Sequence, residues 1–191
     1  MRNSVIFLAN GFEEIEALTV VDVLRRANIK CDICSIEKVE VTGAHGITVK
    51  TDLLISDLIA ENYGCLILPG GMPGAKNLKE NNKIIDLIKS FNKTGKLVAA
   101  ICAAPIVLKE ADIIKGKRTT SFPGVKPELT GCNYQEEIVV QDDNLITSRG
   151  PATAIQFALK LVKNLANKET SEKIRLDMLV DFVENKIRVV L

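Results

Sequence analysis

Apolar and polar positions run along this chain in two rhythms. Ser4-Val-Ile-Phe-Leu-Ala9 is a near-continuous apolar run, the pattern of a strand buried on both faces. From Glu13 to Ala27 the period lengthens: Ile15, Leu18, Val20, Val23, Leu24 and Ala27 form a helical stripe. Asn28 suits the end of that helix, and Arg25 and Arg26 suit the negative end of its dipole. Cys31 to Ile36 alternates as a second strand. Val41-Thr-Gly-Ala-His-Gly-Ile-Thr-Val49 places two short β-rich pieces around a glycine turn, which predicts a small hairpin. Asp57 to Glu61 predicts one short helix, and Cys65 to Leu68 a third core strand closed by Pro69-Gly-Gly71. Leu78 to Phe91 has helical spacing up to the break at Gly95. Lys96 to Ile101 is then a fourth strand, and Ala103 to Ala111 a helix.

The stretch from Arg118 to Asn133, punctuated by Pro123, Gly124, Pro127 and Gly131, predicts loop with short elements. Glu137 to Val140 and Leu145 to Thr147 are two more strands, separated by Asp142-Asp-Asn144. Pro151 to Ala166 is an amphipathic helix with proline in its first turn, and Lys168 to Val180 a further helix. Residues 181–191 fit no single pattern. Strand–helix alternation with apolar strands implies an α/β fold whose mostly parallel sheet is covered on both faces. Ligand sites in such sheets lie beyond the carboxyl ends of the strands. The exits to inspect are therefore Asn10-Gly11, Pro69-Gly70-Gly71, Ile101-Cys102 and Thr147-Ser-Arg-Gly150.

Composition narrows the field. A length of 191 residues suits one domain spanning 1–191. Lysine plus arginine number 25 against 24 acidic residues, so there is no basic excess for a nucleic-acid partner. With no tryptophan and only two tyrosines, a base-stacking platform is not expected either. The longest apolar run, Leu97 to Leu108, is well short of the ~20 residues of a membrane span. Val5 to Ala9 is too short for the apolar part of an export signal. The expectation is a cytoplasmic protein with its five cysteines reduced and no membrane partner.

Candidate chemistry gathers at the exits. Val98-Ala-Ala-Ile-Cys-Ala-Ala-Pro105 carries a strand directly into a helix with one cysteine at the junction. A sharp strand-to-helix turn needs small neighbours, and Ala99, Ala100, Ala103 and Ala104 supply them. A sulfur there would meet the positive helix end and free N–H groups, which favour the thiolate. The segment alone fits a small buried core cysteine equally well. Gly70-Gly71 alone is an ordinary tight turn. Set beside Cys102, the N–H groups of Gly71 and Ala103 would both face one anion, as in an oxyanion hole. The surrounding Gly70-Gly-Met-Pro-Gly74 has neither the phosphate-loop lysine nor dinucleotide spacing, so no nucleotide cofactor is expected.

In Asn10-Gly-Phe-Glu-Glu-Ile-Glu16, the helix dipole accounts for Glu13 and Glu14. Glu16 lies near the apolar stripe, where a raised pKa would keep it protonated near neutrality and able to shuttle protons to a thiolate. Cys31-Asp-Ile-Cys34 has metal-like spacing, but strand positions three apart face opposite sides and no second pair exists, so no metal is expected. Cys65 is a core residue, and Cys132 carries no assignment. His45, the only histidine, falls in the predicted hairpin as an exposed or interface residue.

Gly11-Phe-Glu-Glu-Ile-Glu16, Leu68-Pro-Gly-Gly71, Ala100-Ile-Cys-Ala-Ala-Pro105 and Thr147-Ser-Arg-Gly-Pro151, in that order, resemble the ThiJ/PfpI superfamily. Within it they are similar to the branch of the Parkinson disease deglycase and its YajL-like bacterial relatives. The resemblance implies a flavodoxin-like three-layer α/β sandwich with a nucleophile elbow, and a homodimer. It implies that Cys102 is the reactive cysteine, Glu16 the acid/base that contacts it, and Gly71 and Ala103 the backbone donors. The activities it implies need no cofactor: glyoxalase III-type conversion of methylglyoxal to lactate, or deglycation of glyoxal adducts. The same cysteine, oxidised to a sulfinate, implies an oxidative-stress sensor or redox-dependent chaperone as the alternative. The chain departs from the pattern in two places. Thr119-Thr120 is followed by Ser121-Phe122-Pro123 where many members have a histidine. His45 stands where relatives have an arginine. Ala103 replaces the histidine that follows the cysteine in the protease branch, which argues against a peptidase.

Overall fold

The computed structural model describes residues 3–190. Residues 1, 2 and 191 of the expected domain lie outside the described residues. Among the described residues, eleven strands and seven α-helices follow one another. The first crossover runs β1 (Ser4–Leu8), α1 (Glu14–Arg26), β2 (Cys31–Ser35). Then come β3 (Glu40–Thr42), β4 (Thr48–Lys50), β5 (Leu53–Leu54) and β6 (Cys65–Leu68). Helices α2 (Gly74–Lys79) and α3 (Asn82–Lys93) lead to β7 (Leu97–Ile101) and α4 (Pro105–Glu110). Strands β8 (Arg118–Thr119), β9 (Asn133–Tyr134), β10 (Val139–Asp142) and β11 (Leu145–Ser148) precede α5 (Ala154–Leu165), α6 (Lys168–Asp177) and α7 (Val180–Val190).

Seven strands form the central sheet in the order β10-β11-β7-β6-β1-β2-β5. All pairs are parallel except β10 with β11. The five inner strands have the doubly wound flavodoxin-like order, whose switch point lies between β1 and β6. Helix α1 packs on α5, which packs on α6, while α2, α3 and α4 pack together as the other layer. Every residue of β1, β6 and β7 is buried, which explains their unbroken apolar runs. Strands β3 and β4 form the expected hairpin as a separate antiparallel pair.

Several sequence expectations change in detail. The single helix predicted over Leu78 to Phe91 is two, because Asn81 caps α3: its side chain accepts from the Lys83 and Ile84 N–H groups. Asp57 to Glu61 is not one helix but part of two 3₁₀ turns, Ile55–Asp57 and Ala60–Asn62. Strand β5 carries no periodic signal at two residues' length, yet it closes one sheet edge. Strand β10 begins two residues later than predicted, and α4 starts at Pro105 because Ala103 and Ala104 form the turn. The unassigned segment is helical as far as Val190.

Candidate active site

The exits of β1, β6 and β7 are built into one another. Parallel register pairs Leu68 with Ala100, so two residues further on Gly70 stands beside Cys102. The Gly70 carbonyl accepts the Glu13 N–H at 3.0 Å, and the Gly11 carbonyl accepts the Gly74 N–H at 3.1 Å. These bonds tie the loop before α1 to the turn after β6. Only glycine fits at the junction. A Cβ on Gly70 would lie 2.7 Å from Cys102 Cβ, 2.8 Å from Glu16 Oε2 and 2.9 Å from the Ala103 nitrogen. Gly71 has φ +84°, and a Cβ there would meet the Glu13 nitrogen at 2.4 Å.

Cys102 occupies the left-handed region with φ 64°, which costs a residue with a side chain of the order of 1–3 kcal/mol. Three backbone bonds hold it there. Its N–H donates to Ser148 at 3.0 Å, its carbonyl accepts from Phe122 at 2.8 Å, and the Ala104 N–H returns to Ile101 at 3.0 Å. The side chain is 9% exposed, so the sulfur is nearly enclosed.

Glu16 projects from the first turn of α1 and is fully buried. The Glu13 carboxylate caps that helix by accepting the Glu16 N–H at 2.7 Å. Glu16 Oε2 accepts the Gly70 N–H at 2.8 Å, while Oε1 is buried without a hydrogen-bond partner. The geometry therefore stops short of a formed thiol–carboxylate hydrogen bond, although the two groups are close enough to shift one another. Burial raises the Glu16 pKa to about 7, against the opposing pull of Cys102 and the Gly70 N–H.

The thiol departs from the sequence expectation. Burial pushes Cys102 up, and the Glu16 carboxylate pushes it further. The neighbouring N–H groups of Ala103 and Gly71 pull it down by less. The two groups are coupled, and both burial and the neighbouring carboxylate work against the charged form of the sulfur.

A second cluster adjoins the pair. Glu14 is 4% exposed and accepts the His45 N–H at 2.7 Å and the Ile47 N–H at 3.4 Å, with His45 Nδ1 at 2.8 Å. The β3–β4 hairpin is thereby clamped onto the start of α1, and Glu14 raises the His45 pKa. The ring of His45 remains exposed, as expected. Glu13, Glu14 and His45 bring metal-ligating atoms within 4.8 Å of one another, with Glu14 and His45 bonded to each other. Sequence reasoning treated Glu13 and Glu14 as dipole partners only. It also passed over Gly70, whose signal was the Gly-Gly pair itself.

The remaining cysteines are apart from this chemistry. Burial pushes Cys31 up to about 11 and Cys34 up to about 12, and it raises Cys65 as well. Cys132 is partly exposed, and its Sγ lies 3.1 Å from the Leu129 carbonyl.

The chain is 38% identical over 185 residues to protein dj-1beta of Drosophila melanogaster, a match covering 95% of this chain and 98% of that protein. It is 34% identical over 164 residues to Deglycase PH1704 of Pyrococcus horikoshii, covering 84% and 98%. The crystal structure of Drosophila melanogaster DJ-1beta superposes with a TM-score of 0.90 over 94% of this chain and 98% of that one. An oxidized DJ-1 from Toxoplasma gondii, 35% identical, also gives 0.90 over the same shares. Residues 2–164 match the DJ-1/PfpI family, and with these relatives and this fold the chain belongs to it.

Proposed function

We propose that this chain is a cysteine-dependent enzyme acting on small reactive dicarbonyls, by glyoxalase III-type conversion of methylglyoxal to lactate or by deglycation of glyoxal adducts. The observation that carries the proposal is the elbow: Cys102 at φ 64°, packed against Gly70, whose N–H holds the buried Glu16 carboxylate at the same junction. A relative named as a deglycase, at 34% identity, supports an enzymatic reading.

In this mechanism the Cys102 proton passes to Glu16 as sulfur attacks the aldehyde carbon. The S–C bond forms, and the carbonyl electron pair moves onto oxygen, stabilised by the N–H groups of Gly71 and Ala103. Protonation of that oxygen by Glu16 completes a hemithioacetal. The Glu16 carboxylate then removes the hydrogen from the carbon bonded to sulfur and returns it to the neighbouring carbon through an enediol. Water hydrolyses the resulting thioester, releasing lactate and regenerating the thiol. The sum is methylglyoxal plus water giving lactate. Lactate formation should be abolished in Cys102→Ser and fall at least about a hundredfold in Glu16→Gln. Full turnover in either variant contradicts the mechanism.

The oxidized relative favours one second reading, a sensor of peroxide using the same sulfur. There the thiolate displaces hydroxide from peroxide to give a sulfenic acid, and a second peroxide carries the sulfenate to a sulfinate with loss of water. Intact-mass analysis after mild peroxide, showing two oxygens on Cys102 in a protein without dicarbonyl turnover, would favour this reading.

We also propose that two copies associate. Ile15 and Ile47 support this: they are 57% and 53% exposed at the corner where the hairpin meets α1. No helix among the described residues is long and apolar enough to cross a membrane.

A further inference from the structure

Phe122 is a half-exposed aromatic residue on a fixed backbone. Its N–H donates to the Cys102 carbonyl at 2.8 Å. The preceding residue, Ser121, is fully buried, and its carbonyl accepts the Tyr134 hydroxyl at 3.0 Å. The Ser121 hydroxyl donates to the Phe122 carbonyl at 2.9 Å. The main chain on both sides of the ring is thus held, while the side chain stays 47% exposed. The ring lies over two glycines: a Cβ at Gly124 would contact it at 3.3 Å, and one at Gly150 at 3.7 Å. Gly150 follows the strand end whose Ser148 carbonyl accepts the Cys102 N–H. The exposed ring therefore lies beside the chain segments that hold the Cys102 backbone from either side.

The interior side of the elbow offers no room. Ala99, Ala100 and Ala104 are fully buried, Ala103 is 5% exposed, and the space at Gly70 is already in contact with Cys102 and Glu16. A group attached to a carbon bonded to Sγ has to leave outward, past those segments. An exposed phenyl face there neither donates nor accepts a proton, and it gains from covering an apolar or planar group.

We infer that Phe122 determines specificity, and that the site takes 2-oxoaldehydes whose second carbon carries an apolar, preferably aromatic, substituent. The inference rests on the proposed dicarbonyl chemistry of Cys102 and names the substrates within it. The measurement is kcat/KM for phenylglyoxal and for glyoxal, taken as a ratio. In Phe122→Ala the ratio should fall about tenfold from its value in the unaltered protein. In Phe122→Tyr, which keeps the aromatic face, it should stay within about twofold. An unchanged ratio in Phe122→Ala, or an equal fall in Phe122→Tyr, overturns the inference, provided thermal unfolding shows both variants folded. Cys102→Ser separates this from the underlying reading: if it still turns over both aldehydes, the dicarbonyl mechanism itself has failed.

Discussion

At Gly70 a single hydrogen in place of a side chain lets three separate pieces of chain meet. Gly70→Ala would set a methyl carbon within 3 Å of Cys102, Glu16 and the Ala103 backbone. It should cost about 1–3 kcal/mol in urea unfolding and reduce dicarbonyl turnover more than the stability loss explains. The Cys102–Glu16 pair also makes a pH prediction. Below about 7 both groups hold protons, and above it the pair holds one, which either group can carry. Alkylation of Cys102 by iodoacetamide should rise about tenfold per pH unit up to that point and then level off. Glu16→Gln should remove the break in the profile. Stability follows the opposite course. The folded protein holds the Glu16 proton up to about 7, whereas the unfolded chain releases it near 4.5. The native state therefore binds the extra proton between these values, and stability falls as pH rises across that window. Melting temperatures measured from pH 4 to 8 should show this decline, and Glu16→Gln should flatten it, gaining of the order of 2–3 kcal/mol at pH 8.

Among the elements, the helix ends show where patterning stops being informative. The helical stretch predicted from Leu78 passes through Asn81, and the split between α2 and α3 arises from one capping side chain bonded to two N–H groups. Asn81→Ala should destabilise the protein by about 1 kcal/mol in chemical denaturation, with little change at the thiol. The hairpin is a different case. Its two short strands were legible from β-rich pieces around a glycine turn. Its position was not, because it depends on Glu14, a carboxylate that leaves the helix and enters the hairpin tip. Gly43 permits this entry, since a Cβ there would lie 2.4 Å from the Glu14 carboxyl carbon.

For the whole molecule, the proposed association predicts a dimer by light scattering at micromolar concentration, and a monomer in Ile15→Glu with Ile47→Glu. A monomeric unaltered protein under those conditions contradicts it. The amino-acid sequence by itself determined the alternation of strands and helices, the parallel sheet and the exits where chemistry would lie. These follow from local periodicity and from the burial of apolar runs on both faces, which any window of the chain displays. It also marked Cys102 and Glu16, because small residues around a strand-to-helix turn and a carboxylate at the edge of an apolar stripe are local signals. Tertiary structure alone decided that Gly70 bonds the Glu16 carboxylate, that Glu14 anchors His45, and that Phe122 lies beside the segments that hold Cys102. Each of these depends on groups brought together from distant parts of the chain, and on a loss of water around them that no stretch of sequence contains.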